Sequence, residues 1–374
     1  MLRARVAAMR LLLRRKHNVA ARTTVSLQAR RRASVLRHSD VDDFVTTRFG
    51  CAAEEAASFK KRNAGRSSSV DRAKDSCVKL QQRLDLSEAE LKKIVLKLPS
   101  VLSFSYDANI EPSLAVLQRR LDLSEAELKK IVLKLPSVLS LSYEANVEPK
   151  LALLQKRLGL SEAELKEIVL RLPPLLSFSY EANLEPSLAA LQKRLELSEA
   201  ELKKIVLRVP TMLGLSYEAN LESSLAALQR RLDLSEAELK KIVLQLPQVL
   251  GLSYEANVEP SLAALQRRLD LSEAELKKIV LGLPSLLGYS YEKNLEPKLA
   301  YLEVELQLSV EMLREIIVKT PKLLSYSLEE RFRPRVKQCR EANKPLVLVL
   351  TRATLTNEKF EKVLARRKPP GKAA

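Results

Sequence analysis

LQKRLGLSEAELKEIVLRLPPLLSFSYEANLEPSLAA, residues 154–190, is one copy of a 37-residue unit that recurs along most of this 374-residue chain. The copies align without a gap. The proline that closes the first helical pattern recurs as Pro99, Pro136, Pro173, Pro210, Pro247, Pro284 and Pro321, and the serine that opens it recurs as Ser87, Ser124, Ser161, Ser198, Ser235, Ser272 and Ser309. A unit of this length cannot bury its apolar face alone and must stack on its neighbours. The sequence therefore predicts an all-α helical-repeat solenoid (superhelix) of seven units.

Each copy carries signals for two helices and a short connecting turn. Ser161 and Glu164 have the spacing of a capping box, which starts a helix. The buried stripe that follows consists of Leu165, Ile168, Val169 and Leu172. Pro173 ends this helix, and the apolar PPLLSF is short enough to predict a single 3₁₀ turn. Pro186 is expected in the first turn of the second helix, where a missing amide hydrogen costs no hydrogen bond.

Residues 284–302, PSLLGYSYEKNLEPKLAYL, resemble the repeat of the mitochondrial transcription termination factor (mTERF) family. Residues 327–335 are similar to the segment that ends the array in this family, and residues 355–364 resemble its last helix. The resemblance covers roughly residues 80–364. It implies a helical superhelix that binds organellar nucleic acid along a groove and acts in transcription, RNA processing or ribosome assembly.

The chain divides into four segments by composition. Residues 1–39 hold 11 Lys and Arg and no acidic residue, which predicts a mitochondrial presequence and a matrix location. A chloroplast address and a basic nucleic-acid-binding arm are the alternatives for this segment. Residues 40–79 show little periodicity and are interpreted as a disordered linker. The repeats are assigned to residues 80–337, and residues 338–374 to a C-terminal capping helix and a disordered basic tail. Within this last segment, the apolar run 345–350 suits a strand or a cover for the last repeat, and the cover is favoured because solenoids need capped ends.

The net charge of +18 lies outside the repeats, because residues 80–338 hold 36 basic and 36 acidic groups. A binding groove therefore requires charge to be segregated between faces. Glu88 and Lys92 have the spacing of an ion pair on one helix, and the pair recurs as Glu125 with Lys129 and as Glu199 with Lys203. A second set of cations has no such partner and predicts a positive ridge, for which a solvated surface is the alternative reading. This set is Lys93, Lys97, Lys130, Lys134, Arg171, Lys204, Arg208, Lys241 and Lys278.

Two further rows recur near the other helix of each copy. An arginine row comprises Arg83, Arg120, Arg157, Arg194, Arg231 and Arg268. These arginines suit phosphate binding and the negative end of a helix dipole equally well. The tyrosine row comprises Tyr106, Tyr143, Tyr180, Tyr217, Tyr254 and Tyr291. Packing between repeats, with the hydroxyl left in water, is favoured for it over stacking on unpaired bases. The resemblance adds Arg331, Arg333 and Arg335 of the array's last segment to the candidate nucleic-acid contacts.

Residues suited to catalysis are scarce. The two histidines, His17 and His38, lie in the leader, and the three cysteines have no metal-ligand spacing. We therefore predict a monomeric non-enzyme with no cofactor, no metal and no membrane segment. The resemblance implies nucleic acid as the partner, with duplex DNA favoured and RNA an alternative, together with organellar transcription or ribosome-assembly proteins. An RNA-binding factor in splicing or ribosome assembly and a protein-binding scaffold are the alternative functions. Near-identical copies favour contacts to the nucleic-acid backbone, which carry no sequence information.

Overall fold

The computed structural model describes residues 40–66 and 68–365, and its regular elements within these ranges are all helical. The predicted all-α repeat fold is confirmed. The predicted presequence and the end of the basic tail, residues 366–374, lie outside the described residues. Copies are numbered here from the serine that opens the first helix, so that copy one begins at Ser87 and copy seven at Ser309.

The described residues form two compact units, of which unit 1 ends at Ser179 and unit 2 begins at Tyr180. Unit 1 contains α1 (residues 40–48), α2 (Ala53–Asn63), α3 (Val70–Leu84), α4 (Glu88–Lys97), α5 (Glu111–Arg120), α6 (Glu125–Lys134), α7 (Glu148–Leu158) and α8 (Glu162–Arg171). Unit 2 contains α9 (Glu185–Arg194), α10 (Glu199–Arg208), α11 (Ser223–Leu232), α12 (Glu236–Gln245), α13 (Glu259–Leu269), α14 (Glu273–Gly282), α15 (Glu296–Leu306), α16 (Val310–Lys319), α17 (Arg333–Glu341), α18 (Val347–Thr351) and α19 (Asn357–Ala365).

The first helix of each copy begins as predicted. In copy three the Ser161 hydroxyl accepts from the amide of Glu164 at 3.2 Å, and the Glu164 carboxylate accepts from the amide of Ser161 at 2.7 Å. A five-residue 3₁₀ turn follows this helix in every copy, and each of these turns opens with the repeated proline. The turns are Pro99–Ser103, Pro136–Ser140, Pro173–Ser177, Pro210–Gly214, Pro247–Gly251, Pro284–Gly288 and Pro321–Ser325. Proline suits this first position because no hydrogen bond there needs its amide.

The second helix begins earlier than predicted, because a π-turn precedes its α-helical part. In copy one the π-turn is Tyr106–Ile110, and the amide of Glu111 donates to the carbonyl of Tyr106. Ser105 caps it by accepting from the amide of Ala108 at 3.3 Å. Pro186 lies in the first turn of α9, as predicted, since α9 begins at Glu185 after the π-turn Tyr180–Leu184. Copy four keeps the π-turn although Ser223 replaces the proline, so proline is not its cause.

Side chains of both helices and of the 3₁₀ turn form the core of each unit. In copy one Leu91, Ile94 and Val95 of α4 are fully buried, and Leu102 of the turn and Ile110 of the second helix lie beneath 2% exposure. First helices of successive copies pack on each other, as α4 does on α6 and α14 on α16, and the second helix of one copy packs on the π-turn of the next, as α5 does on Tyr143–Val147. Stacking therefore buries apolar side chains that a single copy would leave exposed to water.

The predicted linker over residues 40–79 is wrong for the part of it that the structure describes, because α1, α2 and most of α3 occupy it. Val45 and Phe59 are fully buried. The Asn63 amide donates to Asp42 at 2.9 Å, and the Ser68 hydroxyl donates to the carbonyl of Leu102 at 2.6 Å. These helices cover the first 3₁₀ turn.

The C-terminal end closes with α17, α18 and α19. The apolar run 345–350 is not a strand, since α18 occupies most of it and fully buries Val349. Phe360 of α19 is fully buried as well. Three helices therefore follow the last π-turn, as far as Ala365.

Candidate nucleic-acid interface

Three rows of cations run along the copies, and the structure gives them different partners. The arginine row lies at the end of the second helices. The row that we call the lysine row lies on the first helices and consists of Lys92, Lys129, Lys166, Lys203, Lys240 and Lys277. The ridge is the set of cations that the sequence predicts to lack partners. Its members stand one residue or five residues after the lysine-row residue of the same helix.

The arginine row is occupied by groups of the following copies. In unit 1 the Arg120 guanidinium donates through Nε to Glu148 at 3.1 Å, through Nη2 to Gln155 at 2.9 Å, and through Nη1 to Glu162. Arg83, Arg194 and Arg231 make the same three bonds, to two glutamates and one glutamine at the corresponding positions of the copies that follow them. Arg268 bonds to Glu296 and Glu303. Arg157 occupies the same position at the end of α7.

These contacts give the arginine row a structural role. A hydrogen bond from Gln155, together with one from Arg120, holds the pKa of Glu162 below its ordinary value. A phosphate would have to displace carboxylates that already match the guanidinium fork. We therefore leave Arg120, Arg157, Arg194, Arg231 and Arg268 out of the interface proposed below.

The lysine row is compensated, as predicted, but its partners belong to the preceding copy. Lys129 forms an ion pair with Glu90 at 2.9 Å and donates to the carbonyl of Asp85 at 2.6 Å. Lys166, Lys240 and Lys277 repeat this pairing within their units. The predicted pair of Lys92 with Glu88 is wrong, because Lys92 contacts Glu55 of α2 at 2.8 Å.

The ridge is exposed in both units. In unit 1 it comprises Lys93 and Lys97 of α4, Lys130 and Lys134 of α6, and Arg171 of α8, which lies 3.5 Å from Glu167 of its own helix. In unit 2 it comprises Lys204, Arg208, Lys241 and Lys278. Within the described residues, no carboxylate pairs with Lys93, Lys97, Lys130, Lys134, Lys204, Lys241 or Lys278. Each of these ammonium groups is therefore open to a ligand.

Each hydroxyl of the tyrosine row donates to a glutamate of its own copy. Tyr143 is 7% exposed, and its hydroxyl donates to Glu148 at 2.5 Å. Burial and this hydrogen bond raise the tyrosine pKa well above its usual range. The ring of Tyr143 is buried, as packing requires, and its packing between repeats stays a prediction. The expectation that the hydroxyl stays in water is wrong, because it joins the carboxylate that the arginine row also binds.

The three arginines of the last segment, Arg331, Arg333 and Arg335, differ in how deeply they are buried. Arg335 is 1% exposed and donates to the carbonyls of Arg352 at 3.0 Å and Leu355 at 2.5 Å. Its guanidinium also lies 4.5 Å from the ring centroid of Phe360. The prediction that Arg335 contacts nucleic acid is therefore wrong, because its side chain ties α17 to the C-terminal helices.

Arg331 is half-buried and Arg333 is exposed. Arg331 donates to the carbonyl of Ala353 at 2.8 Å, and Arg333 pairs with Glu329 at 2.9 Å. Only Arg333 remains accessible as a candidate contact. The sequence reading also overlooked exposed Lys60 and Lys61 of α2, which the FKKR run could have indicated had the segment been recognised as helical.

Other kinds of site are not seen in the described part of the chain. No group of three or more His, Cys, Asp and Glu side chains there is arranged to hold a metal ion. None of the helices in those ranges is long and apolar enough to cross a membrane.

The mTERF sequence model matches residues 67–198 and 189–361, which is most of the chain. The chain belongs to the mTERF family. Membership indicates an organellar nucleic-acid-binding factor, in a family whose members are generally regulators rather than enzymes. No curated protein matches the sequence.

Proposed function

We propose that this mTERF protein binds the phosphate backbone of duplex DNA through the ridge and regulates transcription, in termination or initiation, in the mitochondrial matrix. One observation carries the proposal. In the described part of the chain, carboxylates of other copies pair with most of the arginine row and the lysine row, whereas seven lysines of the ridge face solvent. Charges that recur at each step of a stack suit a ligand whose own charges recur, and a duplex carries one negative charge per about 1.7 Å of axis.

The mitochondrial part of the proposal is supported by the acid-free, arginine-rich residues 1–39. A fluorescent protein fused to residues 1–45 should enter mitochondria. Accumulation in plastids would support the chloroplast alternative, and a cytosolic distribution would contradict import by this segment.

The ridge is tested by the salt dependence of binding. With the chain lacking residues 1–39, the double variant Lys130→Ala, Lys134→Ala should weaken binding to all duplex sequences alike. The slope of log affinity against log salt concentration should fall by up to about 2, because each lost phosphate contact removes about 0.9 from it. Folding should be unaffected, since both side chains are exposed on α6.

The lysine row provides the matched control. Lys129→Ala, Lys166→Ala removes the same charge from neighbouring positions, but both ammonium groups are engaged by Glu90 and Glu127. This variant should leave the salt slope nearly unchanged. Equal losses from both pairs would show that only the total charge matters. An unchanged slope for Lys130→Ala, Lys134→Ala would exclude the ridge and support the protein-scaffold alternative.

A further inference from the structure

A cleft opens in unit 2 between copies six and seven. One wall belongs to copy six and runs from Tyr289 to Lys298, across the π-turn and the start of α15. The other wall belongs to copy seven and runs from Ser325 to Glu329. The cleft has a volume of about 450 Å³. Small-molecule sites in proteins measure about 300 to 1,000 Å³, so the cleft has room for one small ligand.

The cleft contains a buried lysine that lacks a negative partner. Lys298 is 6% exposed, and its ammonium group donates to Oδ1 of Asn294 at 2.7 Å and to the carbonyl of Leu324 at 2.8 Å. Within the described residues no carboxylate pairs with this lysine, and its third hydrogen meets no acceptor oxygen. Burial of an unpaired charge is costly, and desolvation lowers the pKa of Lys298. An anion in the cleft would supply the missing charge.

Other groups on the cleft walls are hydrogen-bond donors too. The Asn294 side chain turns its oxygen towards Lys298, which leaves its NH₂ group without an acceptor among the described residues. Lys293 is exposed, and no carboxylate in the described part of the chain pairs with it. The Ser327 hydroxyl accepts from the amide of Glu330 at 3.1 Å and keeps its own hydrogen for donation. These walls suit a ligand that is rich in acceptor oxygens.

The carboxylate on the cleft wall does not balance the two lysines. Glu329 is exposed and pairs with Arg333 at 2.9 Å. Lys293 and Lys298 therefore give the cleft two positive charges. Because Lys298 is almost completely buried, the backbone of a duplex cannot reach it, whereas the terminal phosphate of a small molecule can enter the cleft.

We propose that this cleft binds a nucleoside monophosphate, with its phosphate held by Lys293, Lys298 and the amide of Asn294. A phosphate monoester carries about −1.5 to −2 charges at pH 7 and presents three acceptor oxygens, which match two ammonium groups and an amide. The single charge of a carboxylate matches them less well. The rest of the cleft is lined by Tyr289, Pro297 and Leu328, whose ring and apolar carbons suit a flat base.

The corresponding cleft between copies five and six provides a comparison within unit 2. It has a volume of about 370 Å³ and places Ala256 and Ser261 at the positions of Lys293 and Lys298. This cleft has similar room but lacks both lysines, so it should not hold a phosphate. Its residues also show which substitutions the fold accepts at the two lysine positions.

The test is calorimetric titration of the full chain with the 5′-monophosphates of adenosine, guanosine, cytidine and uridine, with the nucleosides themselves, and with inorganic phosphate. At least one monophosphate should bind, and its nucleoside should bind roughly tenfold or more weakly, because it lacks the charged hydrogen bonds. The variant Lys293→Ala, Lys298→Ser should weaken binding of the monophosphate by a similar factor. Lys293→Ala alone changes an exposed side chain and leaves the core intact, and it should weaken binding by a smaller factor.

Lys193→Ala, Lys359→Ala is the matched control, because it removes two exposed charges of unit 2 that do not line the cleft. It should leave the affinity for the monophosphate unchanged. Failure of every monophosphate to bind at millimolar concentration would overturn the assignment, and so would equal losses of affinity in the cleft variant and the control. Inorganic phosphate that binds as tightly as the best monophosphate would overturn the assignment of a nucleotide, since the base and sugar would then contribute nothing.

Discussion

Arg231 joins three successive copies, and replacing it with methionine should loosen unit 2 locally. It ends the second helix of copy four and donates through Nε to Glu259 at 3.1 Å and through Nη2 to Gln266 at 2.5 Å in copy five. Its Nη1 donates to Glu273 at the start of copy six. Arg231→Met keeps most of the aliphatic stem and removes all three connections.

The size of the effect follows from how exposed the partners are. The Arg231 side chain is 18% exposed, Glu259 is 36% exposed and Glu273 is 66% exposed. An exposed ion pair contributes at most about 1 kcal/mol, whereas a charged hydrogen bond shielded from water contributes about 1.5 to 3 kcal/mol. The pair with Glu273 is taken near the first value, and the bonds to Glu259 and Gln266 are discounted for their partial exposure. We therefore expect Arg231→Met to lower the free energy of local opening by about 2 kcal/mol. That corresponds to roughly a thirtyfold larger constant for local opening.

Hydrogen exchange is the suitable assay, because a stack of repeats need not unfold in one step. Amides of α12, α13 and α14 should exchange roughly thirtyfold faster in Arg231→Met. Arg230→Met is the control, since the exposed Arg230 side chain donates to the carbonyl of Ala226 in its own helix and its loss should change exchange little. Equal exchange in both variants would refute the structural role of the arginine row and restore Arg231 as a candidate phosphate contact.

Two further predictions concern stability. The residue that ends the second helix has left-handed backbone in several copies, at φ 49° for Glu196 and 58° for Gly159. In a denaturant titration, Glu196→Gly should raise the free energy of unfolding by about 1 kcal/mol, and Gly159→Glu should lower it by about the same amount. Changes of the same sign in the two variants would contradict this prediction. The capping carboxylates of Glu90 and Glu127 accept from the amides of Ser87 and Ser124 and then from the lysine row, which lowers their pKa below the ordinary 4.5. Their stabilisation is therefore complete above pH 4.5 and is lost as the pH falls through the lowered values. Thermal melting should shift downward over that range and shift less in a Glu90→Gln, Glu127→Gln variant, and a melting temperature independent of pH would contradict the prediction.

The elements that depend on local chemistry were predictable from one copy. Ser161, Glu164 and Pro173 set the start and end of a helix through their own backbone groups, so no tertiary information was needed. The π-turn was not predictable in this way. Copy seven forms it as Leu328–Phe332 without the tyrosine, so the hydrogen bond from Tyr106 to Glu111 at 2.6 Å accompanies the π-turn and is not its cause. That contact exists only once the helix has formed.

Charge partners were predictable only in part. The spacing of Glu88 and Lys92 on one helix indicated a pair, and the lysine is indeed neutralised. Its partner is Glu55, because stacking brings the preceding helix closer than the turn of its own helix. The ridge was found by elimination among helix positions, which works because an exposed stripe depends only on helical geometry.

The N-terminal segment shows why the network extends beyond the seven recognisable copies. Each arginine of the row needs acceptors from later copies, and each lysine needs a carboxylate from an earlier one, so Glu88 and Lys92 of copy one would be unpaired if the stack began there. Arg48 of α1 supplies the missing donor, with Nη2 at 2.9 Å from Glu88, and Glu55 supplies the carboxylate.

These substitutes keep a constant offset from copy one. Arg48 stands 35 residues before Arg83, and Glu55 stands 35 residues before Glu90. Gly50, at φ 53°, and Asp85, at φ 47°, share that offset and the left-handed backbone that ends each second helix. Residues 40–63 therefore repeat the end of one copy and the start of the next, although the serine of the capping box is Ala52 here. The pairing geometry is therefore kept where the 37-residue spacing is not, since Arg48 and Glu55 meet Glu88 and Lys92 as their counterparts do in later copies.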